Sequence, residues 1–319
     1  MSTSGSVNYT QTRNEIIQDA LALIGVYGVG RTISGEDMQF ASNMLNKMVK
    51  TYQADGLHLW AKEEGYLFVA DNTGEYTLSS ASSSARACLR SDAVITELSV
   101  AAAASATSLT VESTTGMTTS DIIGVVGDDD TVTWTTISTI PSSTTLTIGT
   151  GLSAASAVGN NVYTFTSRIN KPLRILGMRR VTGGPDDPSS IPLTMLSHQE
   201  YFDLPNKNLN GLPSQFYYNP DLTDGKLYLW PRPDDPEMYF EFTFERMLED
   251  FDASTDNPDF PSEWLECLTY QLATRLAPAF GKANMLQSIS PLAEALYEKV
   301  SGFDCEAGSI SMMPDGYHR

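Results

Sequence analysis

Apolar residues recur at three- and four-residue spacing in four stretches, two at the start of the chain and two near its end. Ile16, Ile17, Ala20, Leu21, Leu23 and Ile24 make the first stripe, the pattern of a helix with one buried face. Thr12 and Glu15 stand at capping-box spacing ahead of it, and Gly25 supplies a left-handed residue to end it. The cap is worth ~1 kcal/mol and each buried Ile or Leu roughly 1.5–3 kcal/mol, so burial dominates. Ser34 and Asp37 open a second helix, with Met38, Ala41, Leu45, Met48 and Tyr52 on one face up to Asp55 and Gly56. Methionines at this spacing, Met44 included, read as core filling. Neither helix can bury its stripe alone. The cover comes from Pro261 to Ser301: Trp264, Leu265, Leu268, Leu272 and Leu276 up to Pro278, then Met285, Ile289, Leu292, Leu296 and Val300.

Between the helical ends the period changes to two. Leu57 to Trp60, Gly65 to Val69 and Glu75 to Leu78 read as strands, with a turn at Asp71 to Gly74. Short apolar or β-branched runs follow at Ser108–Val111, Ile122–Val126, Val132–Ile140, Thr145–Ile148 and Val162–Phe165, punctuated by Gly116, Gly127, Pro141, Gly149, Gly151 and Gly159. Turn signals at that spacing predict a small barrel or sandwich. From Leu173 the host β domain resumes with Leu173–Leu176 and Met178–Val181. A short helix follows at His198–Tyr201, then a hairpin of Gly211–Tyr218 with Lys226–Trp230, and a half-buried strand at Met238–Glu245. Asp250 to Asp259 reads as an acidic linker.

The expected fold is therefore α+β: a discontinuous α-helical bundle built from both chain ends, carrying an inserted β-sandwich or barrel domain with a second small β domain nested in it. The expected boundaries are 1–60 with 258–301 for the helical domain, 61–95 with 167–257 for the inserted β domain, 96–166 for the nested module and 302–319 for an extended C-terminal tail. The tail carries only isolated apolar residues, Phe303, Ile310, Met312, Met313 and Tyr317, and cannot make a core of its own.

Composition narrows the chemistry. Of 319 residues, 39 are acidic and 20 basic, a net charge of −19 that works against capture of a phosphate backbone. No Lys or Arg falls between Arg90 and Arg168, which sets the nested module apart, whereas Arg168, Lys171, Arg174, Arg179 and Arg180 concentrate positive charge. Those arginines suit either a solvated strand face or contact with an acidic neighbouring subunit. The three cysteines, Cys88, Cys267 and Cys305, show no paired or zinc-ligand spacing. His58 lies alone between Leu57 and Leu59, and Asp128 to Asp130 lacks the alternate spacing and distal glutamate of a calcium loop. The glycines of Val26 to Ile33 follow a helix rather than a strand, so a structural turn is expected there, not a phosphate loop. No catalytic, cofactor or metal motif stands out. With neither a leader-like start nor a run of roughly 18 apolar residues, the chain is expected to stay in the cytoplasm where it is made.

The segment Thr12 to Gly25, with Met44 to Tyr52 and Gln53-Ala-Asp-Gly56, resembles the opening of head-to-tail adaptor proteins of tailed bacteriophages. Leu268 to Pro278 resembles a later helix of that family, and Gly211–Ser214 with Leu229–Pro233 is similar to the β regions of phage connectors. The resemblance lies mainly in the two helical ends; the module from Ala106 to Phe165 departs from the small tail accessory factors. It implies a structural, non-enzymatic protein without cofactors, forming a dodecameric ring under the portal protein. It further implies a C-terminal tail along the portal, and docking of tail nozzle or tail-fibre proteins below. Genomic DNA would slide past the acidic wall without specific binding. The implied location is the virion head-to-tail interface, after assembly in the host cytoplasm. Two other readings stand beside it: a virion-associated peptidoglycan-degrading enzyme working through a carboxylate pair, and a β-rich fibre-binding or decoration protein resting on Ala106–Phe165.

Overall fold

The computed structural model describes residues 5–28, 30–55, 59–185 and 187–304. Helices α1 (Arg13–Leu23) and α2 (Gly35–Gln53) come first. The strands then begin: β1 (Lys62–Phe68), β2 (Glu75–Leu78), β3 (Ala87–Leu89), β4 (Ala93–Val100), β5 (Ser108–Val111), β6 (Ile122–Val126), β7 (Val132–Thr139), β8 (Thr145–Ile148) and β9 (Asn161–Phe165). After them come β10 (Arg174–Thr182), β11 (Ser189–Pro192), β12 (Thr194–Met195), α3 (His198–Phe202), β13 (Gln215–Pro220), β14 (Gly225–Trp230), β15 (Tyr239–Glu245), α4 (Leu265–Leu276) and α5 (Leu286–Phe303). The protein is mixed α+β and splits into two compact units, Met1–Ala61 with Leu248–Arg319, and Lys62–Met247.

In the helical unit the capping box at α1 is formed, with Thr12 N donating to Glu15 Oε2 at 2.7 Å and Glu15 N to Thr12 Oγ1 at 3.4 Å. Gly25 ends the turn at φ +68°. Ile16, Ile17, Ala20 and Leu21 join Ala41, Leu45, Met48 and Tyr52 of α2, Leu268, Leu272 and Leu276 of α4, and Ile289 and Val300 of α5 in one apolar cluster. Tyr52 stacks on Tyr297 at 5.3 Å, and Trp60 meets Trp264 edge-on at 5.4 Å. One expected core residue of α5 faces out: Leu292 is 49% exposed, while Ala293 next to it is buried. The inward row on α5 thus runs Ile289, Ala293, the partly buried Leu296 and Val300, and Gln271 of α4 donates to the Ala293 carbonyl at 3.0 Å.

Two other expectations change. Leu57 to Trp60 was read as a strand, but a single 3-10 turn covers Leu59–Ala61, and His58 lies outside the described residues. The acidic linker is a strap: Leu248 and Phe251 are buried in the helical cluster. Asn46 of α2 donates to the Phe251 carbonyl at 3.1 Å and accepts from its amide at 2.9 Å, and Lys50 donates to Leu248 O at 2.7 Å. At the far end, Gly302 and Phe303 continue α5 rather than starting the tail, and Ile310, Met312, Met313 and Tyr317 lie outside the described residues.

The second unit holds a sandwich and a barrel. The five-stranded sheet has the order β11-β10-β15-β1-β3 and the four-stranded sheet β12-β13-β14-β2. Strict alternation on β15 turns Phe240, Phe242 and Phe244 inward, where they meet Leu67, Ile175 and Met178 of their own sheet and Leu78, Phe216, Leu227 and Leu229 of the other. Between β3 and β10 the chain builds a closed six-stranded barrel, β4-β5-β8-β7-β6-β9, around Leu98, Leu109, Val111, Ile123, Ile137, Leu146 and Val162. Closure removes the free edges that short, Ser/Thr-rich strands would otherwise expose. Five of its strands lie where sequence alternation puts them; β4, β3 and the edge strands β11 and β12 do not follow from it.

Strand β9 explains how barrel and sandwich join. Val162 points into the barrel, and Tyr163 and Phe165 point out of it. Phe68 stacks on Tyr163 at 4.5 Å and on Phe165 at 6.0 Å, in a cluster completed by Cys88, Val126, Val181 and Tyr239. The outer face of the five-stranded sheet is thus covered at one end by the barrel.

Candidate functional site

The uncovered part of that outer face is where the arginines of β10 arrive. Arg174 and Arg179 are five residues apart, which on a regular strand puts them on opposite faces. A bulge between Ile175 and Gly177 corrects the parity: Arg174 pairs with Glu245 and Arg179 with Glu241, both on the same face of β15. Arg180, opposite Phe240, turns the other way and donates to the Pro213 carbonyl at 2.8 Å. Arg168 lies before the strand, its guanidinium donating to the carbonyls of Ala85 and Ser83, both at 3.0 Å. The fold therefore brings Arg174 and Arg179 together and separates Arg168 and Arg180 from them.

Nor is the face simply positive. Arg174 Nε donates to the buried Glu245 carboxylate at 2.5 Å, and Arg90 bridges Glu64 at 2.7 Å and Glu241 at 2.5 Å. Arg179 spends its guanidinium on Ser190, at 2.7 Å to Oγ and 3.1 Å to the carbonyl. Alternating charges on a sheet face suit a specific neighbour of matching pattern, since each exposed pair contributes only ~0–1 kcal/mol to the fold itself.

Each unit also has a hollow. In the helical unit a groove of about 550 Å³ is lined by Tyr9, Asp19, Leu23, Leu265, Glu266 and Tyr270. In the β unit a cleft of about 300 Å³ is lined by Phe68, Glu75, Tyr76, Arg86 and Trp134. Arg86 lies 4.7 Å over the Trp134 ring, and burial pulls its guanidinium pKa down. Trp134 rests flat on Gly124, its cross-strand partner.

Catalytic chemistry needs acids at an accessible place. One strongly perturbed carboxyl is Glu237, raised by burial, and further by Asp235 and Glu97, from the ordinary 4.5 to about 7. It lines neither hollow and accepts instead from the amide of Asn161 beneath the barrel. His198 shares a hydrogen bond with the Tyr217 hydroxyl at 3.0 Å on the sheet surface. Among the described residues no cluster of His, Cys, Asp and Glu has the geometry of a metal site, and no helix is long and apolar enough to cross a membrane. Cys88 and Cys267 are buried free thiols, Cys267 pushed up to about 12 by burial. Of the five apolar tail residues, only Phe303 is described; it is 79% exposed at the end of α5.

Sequence reasoning did not find the Glu237–Asn161 and Arg86–Trp134 pairs, because each joins residues far apart with no periodic signal. An isolated glycine within Ile122–Val126 was the one available hint, since it marks close approach to a strand.

A family model described as SU10 adaptor protein matches residues 45–301. The match begins inside α2 and ends inside α5, so it takes in the entire β unit together with the later helices. No curated protein matches the chain.

Proposed function

The chain belongs to the SU10 adaptor protein family, and on that premise we propose that it is a head-to-tail adaptor of a tailed-phage virion, a dodecameric ring seated under the portal protein. The family assignment gives it a structural rather than a catalytic role. The observation that carries the reading is the extent of the match, which takes in the end of α2, the whole inserted β unit and the later helices in one family pattern.

In this proposal the helices from both chain ends pack side by side as the ring platform, and the β unit offers the docking surface for tail nozzle or tail-fibre proteins. The tail that follows α5, with Ile310, Met312, Met313 and Tyr317, reaches along the portal from its base at Phe303. The mixed-charge face, with Arg174 and Arg179 among Glu64, Glu241 and Glu245, meets a neighbouring subunit. A net charge of −19 lets genomic DNA pass without sticking. The ring works at the head-to-tail interface of the virion after assembly in the host cytoplasm.

Mixing purified protein with portal rings tests this directly. Co-sedimentation and a ring of added density in negative-stain images are expected, and removal of residues 305–319 is expected to abolish the association. A chain that stays monomeric and does not co-sediment would overturn the proposal.

A further inference from the structure

Asn161 and Glu237 meet where barrel strand β9 lies against the approach to β15. Asn161 N donates to the Glu237 carboxylate at 3.0 and 3.3 Å, and Asn161 Nδ2 donates to the Glu237 carbonyl at 3.0 Å. Tyr163, next on the same face of β9, donates its hydroxyl to the carbonyls of Pro236 and Glu237, both at 3.0 Å. Glu237 N is already spent on Asp235 Oδ1 at 2.8 Å. Acceptors crowd this seam, and Asn161 Oδ1, on a side chain in a residue only 3% exposed, has no partner. A buried acceptor without a donor is rare enough to need a reason.

A proton on Glu237 turns one of its two oxygens from acceptor to donor, facing the residue that has an acceptor to spare. We propose that Glu237 and Asn161 form a proton-operated latch that fastens the six-stranded barrel to the sandwich, closed when Glu237 is neutral and loosened when it is ionised.

Burial, the largest influence, opposes ionisation of Glu237 and prevails over the hydrogen bonds from Asn161, which favour its carboxylate form. The charged groups acting on Glu237 are Asp235 on its own loop and Glu97 on β4, the cross-strand partner of Asn161, and both oppose ionisation. Glu97 is itself held under the turn at Gly184, where a Cβ would collide with its Oε1. The phenols nearby, Tyr163 and Tyr239, stay neutral, their pKa values raised first by burial. A carboxyl raised from 4.5 in the unfolded chain to about 7 in the folded one binds its proton more tightly when folded. Its stabilising effect is full below 4.5 and is lost as pH rises through about 7.

Cys88 reports on the latch because it is buried in the aromatic cluster of the same seam. The test uses the full chain with Cys267→Ser and Cys305→Ser, and compares thiol labelling of Cys88 with and without Glu237→Gln. The glutamine is neutral at every pH, with an acceptor for Asn161 N and a donor for Asn161 Oδ1, and the ratio of the two rates cancels the pH dependence of the thiolate. The expected ratio, parent chain over Glu237→Gln, is near one below pH 4.5, rises between 4.5 and about 7, and levels off above. A ratio that stays flat overturns the latch. Carbon NMR of the Glu237 carboxyl in the unaltered chain gives a second measure that needs no variant at this site. A midpoint near 7 that moves down in Glu97→Gln supports the proposal, and one near 4.5 overturns it.

Discussion

Trp134 shows how much one missing atom controls. Its ring lies on Gly124, where an added Cβ would come within 2.6 to 2.8 Å of three ring atoms, and Arg86 covers the ring at 4.7 Å. With a guanidinium on one side and backbone on the other, the ring has nowhere to shift without giving up a contact. Gly124→Ala is therefore expected to destabilise the β unit by about 1–3 kcal/mol, the usual cost of overpacking. Chemical denaturation followed by tryptophan fluorescence measures it, and an unchanged midpoint would show that the ring moves freely. The strand itself was legible: Ile122–Val126 was read with its observed bounds. Its partner was not, because a sequence shows that a glycine interrupts an apolar run without showing which ring fills the gap. The arginines of β10 make the same point, since a bulge at Leu176 decides which of them share a face.

At the scale of elements, helices and strands were read by different signals. A capping box at α1, the Ser34 start signal of α2 and stripes at three- and four-residue spacing placed α1, α2, α4 and α5, because each helix carries its own start signal or a largely apolar inward face. Strands that alternate cleanly, such as Tyr239–Glu245, were equally plain. The short edge strands β11 and β12 are exposed along their whole length, so no alternation marks them. The acidic strap was misread for a related reason: its many carboxylates describe the solvent side, and two apolar anchors decide where it packs. Asn46 is the element that fixes it, giving and receiving one hydrogen bond with Phe251. Asn46→Ala leaves the amide and carbonyl of Phe251 unpartnered at a partly buried place, with an expected loss of about 1–3 kcal/mol. Thr12→Ala, at an exposed helix cap, is expected to cost about 1 kcal/mol. Limited proteolysis separates the two: cleavage within Asp250–Asp259 is expected to rise in Asn46→Ala and not in Thr12→Ala, and equal rates would contradict the strap's dependence on Asn46.

At the scale of the whole molecule, two buried thiols sit one in each compact unit, Cys267 in the helical unit and Cys88 in the β unit. Burial pushes both thiols up, so neither is a nucleophile until its surroundings open. The helical unit depends on one apolar cluster shared by segments more than two hundred residues apart, whereas the β unit has three clusters of its own. Each unit thus has the means to open cooperatively without the other. In a chain carrying Cys305→Ser, labelling of Cys88 and Cys267 across a denaturant series is expected to give two different slopes. The steeper belongs to Cys88, because the longer unit exposes more surface on opening. A single slope and midpoint for both thiols would mean that the chain opens as one body. Gly124→Ala should raise the labelling rate of Cys88 and leave Cys267 unchanged, while Asn46→Ala should do the reverse.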